Sequence, residues 1–303
     1  MQRIRAALRI CLWFLPAVLI RLVRPWVYIR TGKVVSARLG HLSLNSEMYL
    51  SARHISSRDL TGEDSMDLFC YQDDMPIAND YLFSLVRQKL TVRKWVRGLH
   101  EVNLLLKSHT VKEYTDIDYT GILTSVGHQI ERPPSPWEFK YVCIYNRDNR
   151  YLENLCEKLG RPHTNKHQMR NSPVSVLYPA INWLLDRNYW VFRMGNMPEE
   201  KAEINHPRFV DYHRHRFPES MQIKLLANCR FALGSATGLN GPSVMFRRLI
   251  GVFDIPDHEC SEQMRISPLI MPRTLSEGKA TGDDVLFMAQ KLHDRVKTFP
   301  PQY

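Results

Sequence analysis

The second half of the chain carries a pattern that few folds can satisfy. Short, unbroken apolar runs at Tyr141-Val142-Cys143-Ile144-Tyr145 and at residues 189–192, 230–233 and 249–255 alternate with stretches of helical spacing at 174–185, 220–228 and 283–298. A strand is apolar along its whole length only when both faces are covered, as in a parallel sheet lying between layers of helices. Alternation at this spacing predicts an α/β fold with a doubly wound sheet, and a further short strand fits at 209–212. Sheets of this kind bind ligands at the carboxyl ends of their strands. The loops that follow the apolar runs are therefore where binding residues belong.

The first half is fainter. Residues 33–39 read as a strand ending at Gly40-His41, residues 44–54 as the helix after it, and residues 66–71 as a second strand. Helical spacing recurs at 80–90 and 94–107, as in Leu82, Leu85, Val86 and Leu90. Between the halves stand Pro133, Pro134 and Pro136, a density that neither a helix interior nor a central strand accepts. The expected organisation is a basic apolar segment over 1–30, an α/β domain over 31–138, a second over 139–282, and a closing helix and tail over 283–303.

Composition excludes some functions. With 44% hydrophobic residues among 303, the chain can build a packed core and is not a disordered polymer. The net charge of +10 arises at one end, because residues 1–46 hold eight cations and no acid while the rest carries 33 basic and 31 acidic residues. Basicity confined to one end argues against a protein that coats nucleic acid. The six cysteines are scattered without a C-x-x-C pair, which reads as free thiols in a reducing compartment.

Within the basic end, residues 10–20 form an uncharged, mostly apolar run containing Pro16 and bracketed by Arg9 and Arg21. As a helix the run would reach about 16 Å, roughly half of the ~30 Å hydrocarbon core. A signal peptide needs small residues at its cleavage site, and Arg21-Leu22-Val23-Arg24-Pro25-Trp26 follows instead. An interfacial segment is expected, with Trp13, Phe14, Leu15 and Trp26 entering the headgroup region and the arginines meeting anionic lipid. The alternative is a helix packed on the protein's own body with its arginines in solvent.

Three arginines fall at or near the ends of expected elements in the second domain. Asn146-Arg147-Asp148 follows the first strand, Met169-Arg170-Asn171-Ser172 precedes the next helix, and Arg193-Met194-Gly195 ends the second strand. A planar guanidinium holds phosphate oxygens through two parallel bonds, so converging arginines suit a phosphorylated ligand. Local salt bridges are the alternative for each. The loop Gly234-Ser235-Ala236-Thr237-Gly238-Leu239-Asn240-Gly241 joins a buried strand to a helix expected to start near Pro242-Ser243. Its glycines allow close backbone approach, its amides could receive a diphosphate, and Ser235 and Thr237 could add hydroxyls. It is neither a Walker loop nor G-x-G-x-x-G, which disfavours a nucleotide triphosphatase and a nicotinamide enzyme.

In the first domain, His41 and Glu47 are the candidates for a general base, with a turn cap and a favourable first-turn acid as their structural alternatives. Two histidine groupings are set aside as metal sites for lack of partner ligands: His206 with His213 and His215, and His163 with His167. Asp116-Ile117-Asp118 is read as a loop coincidence, since no strand clearly leads into it.

Residues 34–50, Met169-Arg170-Asn171-Ser172, residues 189–195 and residues 231–242 together resemble a group of bacterial surface-polysaccharide glycosyltransferases, over most of 33–255 and in the same order. Ile144-Tyr145-Asn146-Arg147-Asp148 also resembles the His-x-Arg nucleotide-binding motif of fucosyltransferase-like enzymes, with Tyr145 at the histidine position and Arg147 retained. The resemblance implies a GT-B fold of two Rossmann-like domains, acceptor in the first and nucleotide-sugar donor in the second, with chemistry in the cleft. It implies a metal-independent enzyme without a cofactor, in which arginines and helix dipoles neutralise the departing diphosphate. The donor would be held by Arg147, Arg170, Asn171, Ser172, Arg193, Gly234, Ser235, Thr237 and Gly238, and His41 or Glu47 would deprotonate a lipid-linked or surface-glycan acceptor. The expected location is the cytoplasmic face of the inner membrane, peripherally bound to its anionic surface, with no nucleic-acid partner. The alternative from another class is a membrane-tethered, non-catalytic protein that binds a nucleotide or glycan.

Overall fold

The computed structural model describes residues 2–298 apart from 59–64, 72–74, 112–118, 159, 161, 163–164, 197, 262–263 and 266. Asp116, Asp118 and His163, together with the side chains of Arg3, Arg5, Arg9 and His167, lie outside the described residues. The chain forms two compact units, Met1–Thr115 and Asp116–Tyr303.

The first unit is built on a parallel sheet of order β1-β2-β3, comprising β1 (Tyr28–Val34), β2 (Ser65–Tyr71) and β3 (Thr91–Val92). Around it run α1 (Gln2–Leu22), α2 (Leu39–Arg58), α3 (Asp80–Lys89) and α4 (Val96–Leu105). The register sets Arg30 opposite Asp67, and the guanidinium grips that carboxylate through Nε at 2.8 Å and a terminal nitrogen at 2.7 Å. Tyr49 of α2 also donates to Asp67, and Arg53 reaches it at 3.2 Å. The carboxylate is fully buried, so this ring of donors offsets its lost hydration. Burial, helped by the bond to Asp67, pushes the Tyr49 hydroxyl well above the ordinary phenol range.

Helix α1 runs unbroken through Pro16. One face packs on α4, with Trp13, Ala17 and Ile20 against Leu99 and Val102, and Trp13 stacks on Trp95 at 5.7 Å. Arg21 closes the contact by donating to Asn103 Oδ1 at 3.0 Å and Ser108 Oγ at 2.7 Å. The other face leaves Leu12, Leu15, Leu19 and Leu22 exposed, followed by Trp26 at 82% exposure. Packing on the protein's own body thus accounts for one side of this helix only. Among the described residues no helix is long and apolar enough to cross a membrane.

The second unit holds six parallel strands in the order β6-β5-β4-β7-β8-β9. They are β4 (Tyr141–Tyr145), β5 (Trp190–Arg193), β6 (Phe209–Asp211), β7 (Phe231–Ser235), β8 (Leu249–Ile255) and β9 (Ile270–Thr274). The helices of this unit are α5 (Tyr119–Ser125), α6 (Arg150–Lys158), α7 (Tyr178–Asp186), α8 (Glu219–Asn228), α9 (Asn240–Met245) and α10 (Gly282–Thr298). Every residue of β4, β7 and β8 is buried, as their unbroken apolar sequences require. Helix α10 contributes Val285, Met288, Ala289 and Leu292, one face of a helix, to a core shared with α7 and the strands.

Several boundaries differ from expectation. The proline-rich segment is a strap on the second unit: Asn228 holds the Pro133 carbonyl at 2.9 Å, Arg247 holds the Gly127 carbonyl at 3.1 Å, and Trp137 stacks on Phe192 at 5.0 Å. The division accordingly falls at 115/116 rather than 138/139, and α10 belongs to the second unit rather than standing apart. Strand β1 begins and ends five residues earlier than the sequence pattern suggested, so Gly40 and His41 lie inside the first turn of α2 rather than in a turn before it. Strand β9, with Pro272 in its middle, and helix α6 were not anticipated.

Candidate functional site

In the order β6-β5-β4-β7-β8-β9 the chain winds outward in one direction from β4 and in the other from β7. Their carboxyl ends flank the switch point, the place where an open sheet leaves a crevice for a ligand. Two loops cross it, one from Asn146 after β4 and one from Ala236 after β7.

The first loop is clamped from three sides. Ser235 Oγ accepts from the Arg147 amide at 2.7 Å, and the Arg147 carbonyl accepts from the Ser172 amide at 3.0 Å. Asn146 Nδ2 donates to the Ser172 carbonyl at 2.9 Å, while its Oδ1 accepts from Arg193 at 3.2 Å. Three segments distant in sequence thus fix the backbone that carries Arg147. A guanidinium on a preorganised loop loses less freedom when an anion docks.

In the second loop, the amides of Ala236, Asn240 and Gly241 are used by Phe253, Thr237 and Gly238 carbonyls. Among the described residues nothing accepts from the amides of Thr237, Gly238 and Leu239. Thr237 is half-buried and Gly238 exposed, so the crest of this loop is what an incoming group would meet.

Arg170 lies at the same sheet edge and pairs with Glu259, which follows β8. Ser172 is buried and gives its hydroxyl to Asp254 at 2.5 Å. Asn171 Oδ1 is buried and lacks a partner among the described residues. Asp254 is marked by no motif in the sequence. It holds a left-handed backbone (φ 53°) at a register irregularity in β8, accepts from the Ala280 amide at 2.9 Å, and faces Lys279 at 3.4 Å. An acid inside the apolar run 249–255 was the available signal, since a buried carboxylate persists only with partners.

Four expectations change. Arg193 is 1% exposed and committed to Asp211 at 3.2 Å, the Glu200 carbonyl at 2.8 Å and Asn146, so it braces the site rather than gripping a ligand. Ser235 is fully buried and serves the Arg147 backbone. Gly234 leaves room for the Tyr145 ring, not for a ligand, and Tyr145 is itself fully buried. Glu47 is 0% exposed, with Ser51 donating to it at 3.3 Å, which removes it as an accessible base. His41 stays exposed on α2. Arg147, Arg170, Asn171, Ser172, Thr237 and Gly238 are the residues that remain grouped at the edge of the second sheet.

No family model matches the chain, and no curated protein sequence matches it significantly. Solved structures do. The iron-containing dodecameric glycosyltransferase TibC of enterotoxigenic E. coli H10407 aligns over 89% of this chain and 81% of its own, at 11% identity and a TM-score of 0.50. The E. coli ADP-heptose LPS heptosyltransferase II aligns over 89% and 99% at 10% identity with a TM-score of 0.49. The E. coli heptosyltransferase WaaC with ADP aligns over 89% and 100% at 10% identity with a TM-score of 0.46. At such identities the likeness speaks to architecture: the chain has an α/β fold with parallel sheets resembling that of GT-B glycosyltransferases.

Proposed function

We propose that the chain is a glycosyltransferase that moves a sugar from a nucleotide-sugar donor to a lipid-linked or surface-polysaccharide acceptor. The observation that carries this reading is the clamped Arg147 loop, bonded to Ser235 where the chain enters the loop that leaves the Thr237–Leu239 amides open, beside the switch point. Transfer leaves negative charge on a nucleotide diphosphate, and fixed donors aimed at that charge lower the barrier without reorganising. Arg147 and the loop amides are assigned this role, without a bound metal. His41 is assigned to take the proton of the acceptor hydroxyl, since it is exposed and histidine is the residue type most often used as a general base. The outer face of α1 is assigned to an anionic membrane surface, consistent with action at the cytoplasmic face of the bacterial inner membrane.

The test is thermal stability of the full chain with UDP, GDP, CMP and dTDP. A ligand at a hundredfold excess over its Kd stabilises the native state by about 2.7 kcal/mol. One nucleotide should raise the melting temperature, and Arg147→Ala should abolish the shift while the unliganded variant melts as the wild type does. A shift that survives Arg147→Ala would place the donor elsewhere. His41→Ala should bind the nucleotide normally and lose turnover; retained turnover would remove His41 from the mechanism.

A further inference from the structure

Between β9 and α10 a short turn carries Lys279, whose side chain crosses to the loop that runs ahead of α7. Lys279 Nζ donates to the Asn171 carbonyl at 2.7 Å and to the Met169 carbonyl, which lie on either side of Arg170, and stands 3.4 Å from Asp254 Oδ2. We propose that Lys279, anchored on Asp254, is a positioning residue for the donor diphosphate: it touches no part of the donor and fixes the backbone to which the Arg147 loop is tied. This rests on the transferase reading above.

Donor count is the first argument. An ammonium has three N–H donors and no acceptor. Three oxygens meet Lys279 Nζ, two from carbonyls and one from a carboxylate. Its donors are used and its charge is answered by Asp254, so its place in the site is to hold a segment.

The second argument is continuity. Asp254 Oδ2 also accepts from Ser172 Oγ at 2.5 Å, so one carboxylate receives both Lys279 and the end of the loop that Lys279 holds. Ser172 then gives its amide to the Arg147 carbonyl at 3.0 Å and takes Asn146 Nδ2 on its own carbonyl at 2.9 Å. From Lys279 to the backbone of Arg147 each link is a hydrogen bond or an ion pair. A loop held in this way has less freedom to lose when an anion docks.

Rigidity of the base is the third. The turn behind Lys279 is closed by a capping box, in which the Thr274 amide donates to Glu277 Oε2 at 2.7 Å. Arg273 holds the Gly278 carbonyl at 2.7 Å and Asp284 of α10 at 3.1 Å. Gly278 supplies the positive φ of 83° just before Lys279. On the other side, Asp254 Oδ1 accepts from the Ala280 amide at 2.9 Å. Asp254 reaches these partners from a left-handed backbone at the irregularity in β8, a costly conformation of the kind kept where a bulge re-aims a side chain.

Isothermal titration of the full chain with inorganic pyrophosphate and with UDP, GDP, CMP and dTDP tests this, alongside amide hydrogen exchange. Lys279→Met keeps the half-exposed aliphatic stem and removes the three donors. It should stay folded, exchange the Asn171 and Ser172 amides faster, and bind pyrophosphate and the best nucleotide about tenfold more weakly. The loss should persist at high ionic strength, where the bare charge of an exposed lysine is screened. Ser172→Ala, which cuts the tie to Asp254 without changing charge, should weaken both probes in the same way. Wild-type affinity in folded Lys279→Met would overturn the assignment and leave the transferase reading intact. Weaker binding with unaltered exchange at Asn171 and Ser172 would overturn it too, since Lys279 would then act as a charge or as a direct ligand. A wild-type chain that binds none of these probes would sink the transferase reading itself.

Discussion

A Cβ at position 234 would lie 2.1 Å from Cδ2 of Tyr145 and 2.4 Å from the Tyr145 carbonyl oxygen. Neither a ring buried on all sides nor a strand backbone can yield that distance cheaply. Gly234→Ala is therefore expected to cost at least the 1–3 kcal/mol or so of an overpacked core, read from urea denaturation; a variant of wild-type stability would mean that β4 and β7 can part. Tyr145→Phe should behave oppositely. The Tyr145 hydroxyl is buried without a partner among the described residues, and burial raises its pKa well above the usual value. Removing it is expected to be neutral or stabilising, since no hydrogen bond is lost. The sequence shows a glycine at a strand end, which suits a ligand as well as an aromatic neighbour. What decides between them is a ring far away along the chain, and no local pattern reports it.

The elements were legible in proportion to how much of their environment is written into their own residues. Strands β4, β5, β7 and β8 are buried on both faces and announce themselves as apolar runs. Strand β1 does not, because Arg30 and Lys33 interrupt it, and the partner that makes Arg30 acceptable, Asp67, lies on β2. Helix α1 is apolar on a face that could meet either lipid or protein, and its own residues do not say which. Its seat depends on Gly98, where a Cβ would come within 2.0 Å of the Trp13 ring. Gly98→Leu should therefore lift α1 from α4, seen as faster amide exchange in α1 and a changed Trp13 fluorescence environment; unaltered exchange would show that other contacts suffice. Close by, burial and the charges of Arg21 and Arg24 lower the pKa of His109 below 6.5. Because the folded form binds this proton less readily than the unfolded chain, the stabilisation is complete above about pH 6.5 and fades as pH falls below it. His109→Asn, which tolerates the left-handed backbone at φ 59°, should lose less stability on acidification than the wild type. His128 and His293 are shifted in the same direction and remain in both proteins, so the difference between the two pH profiles isolates position 109.

For the molecule as a whole, charge and exposed apolar surface coincide at the amino-terminal end. The acid-free stretch 1–46 contains a helix whose outer face shows Leu12, Leu15, Leu19 and Leu22, and Leu104, Leu105 and Leu106 are exposed at the end of α4 that Arg21 secures. A surface cation near anionic lipid contributes about 1 kcal/mol, a contribution that salt screens, whereas inserted leucines respond little to salt. Phosphatidylserine vesicles should therefore pull the chain down on sedimentation, less so at high ionic strength, and a Leu15→Glu, Leu19→Glu double variant should stay in the supernatant. Equal recovery of both proteins in the supernatant at low salt would remove the membrane from the account.

The larger sheet ends on one side in β6, three residues long, and on the other in β9, where Pro272 has no amide hydrogen to offer. A foreign strand seeking to extend the ladder finds a margin too short on one flank and missing a donor on the other. Growth of this sheet by self-templating, the first step toward fibrous deposits, is thereby discouraged at both borders.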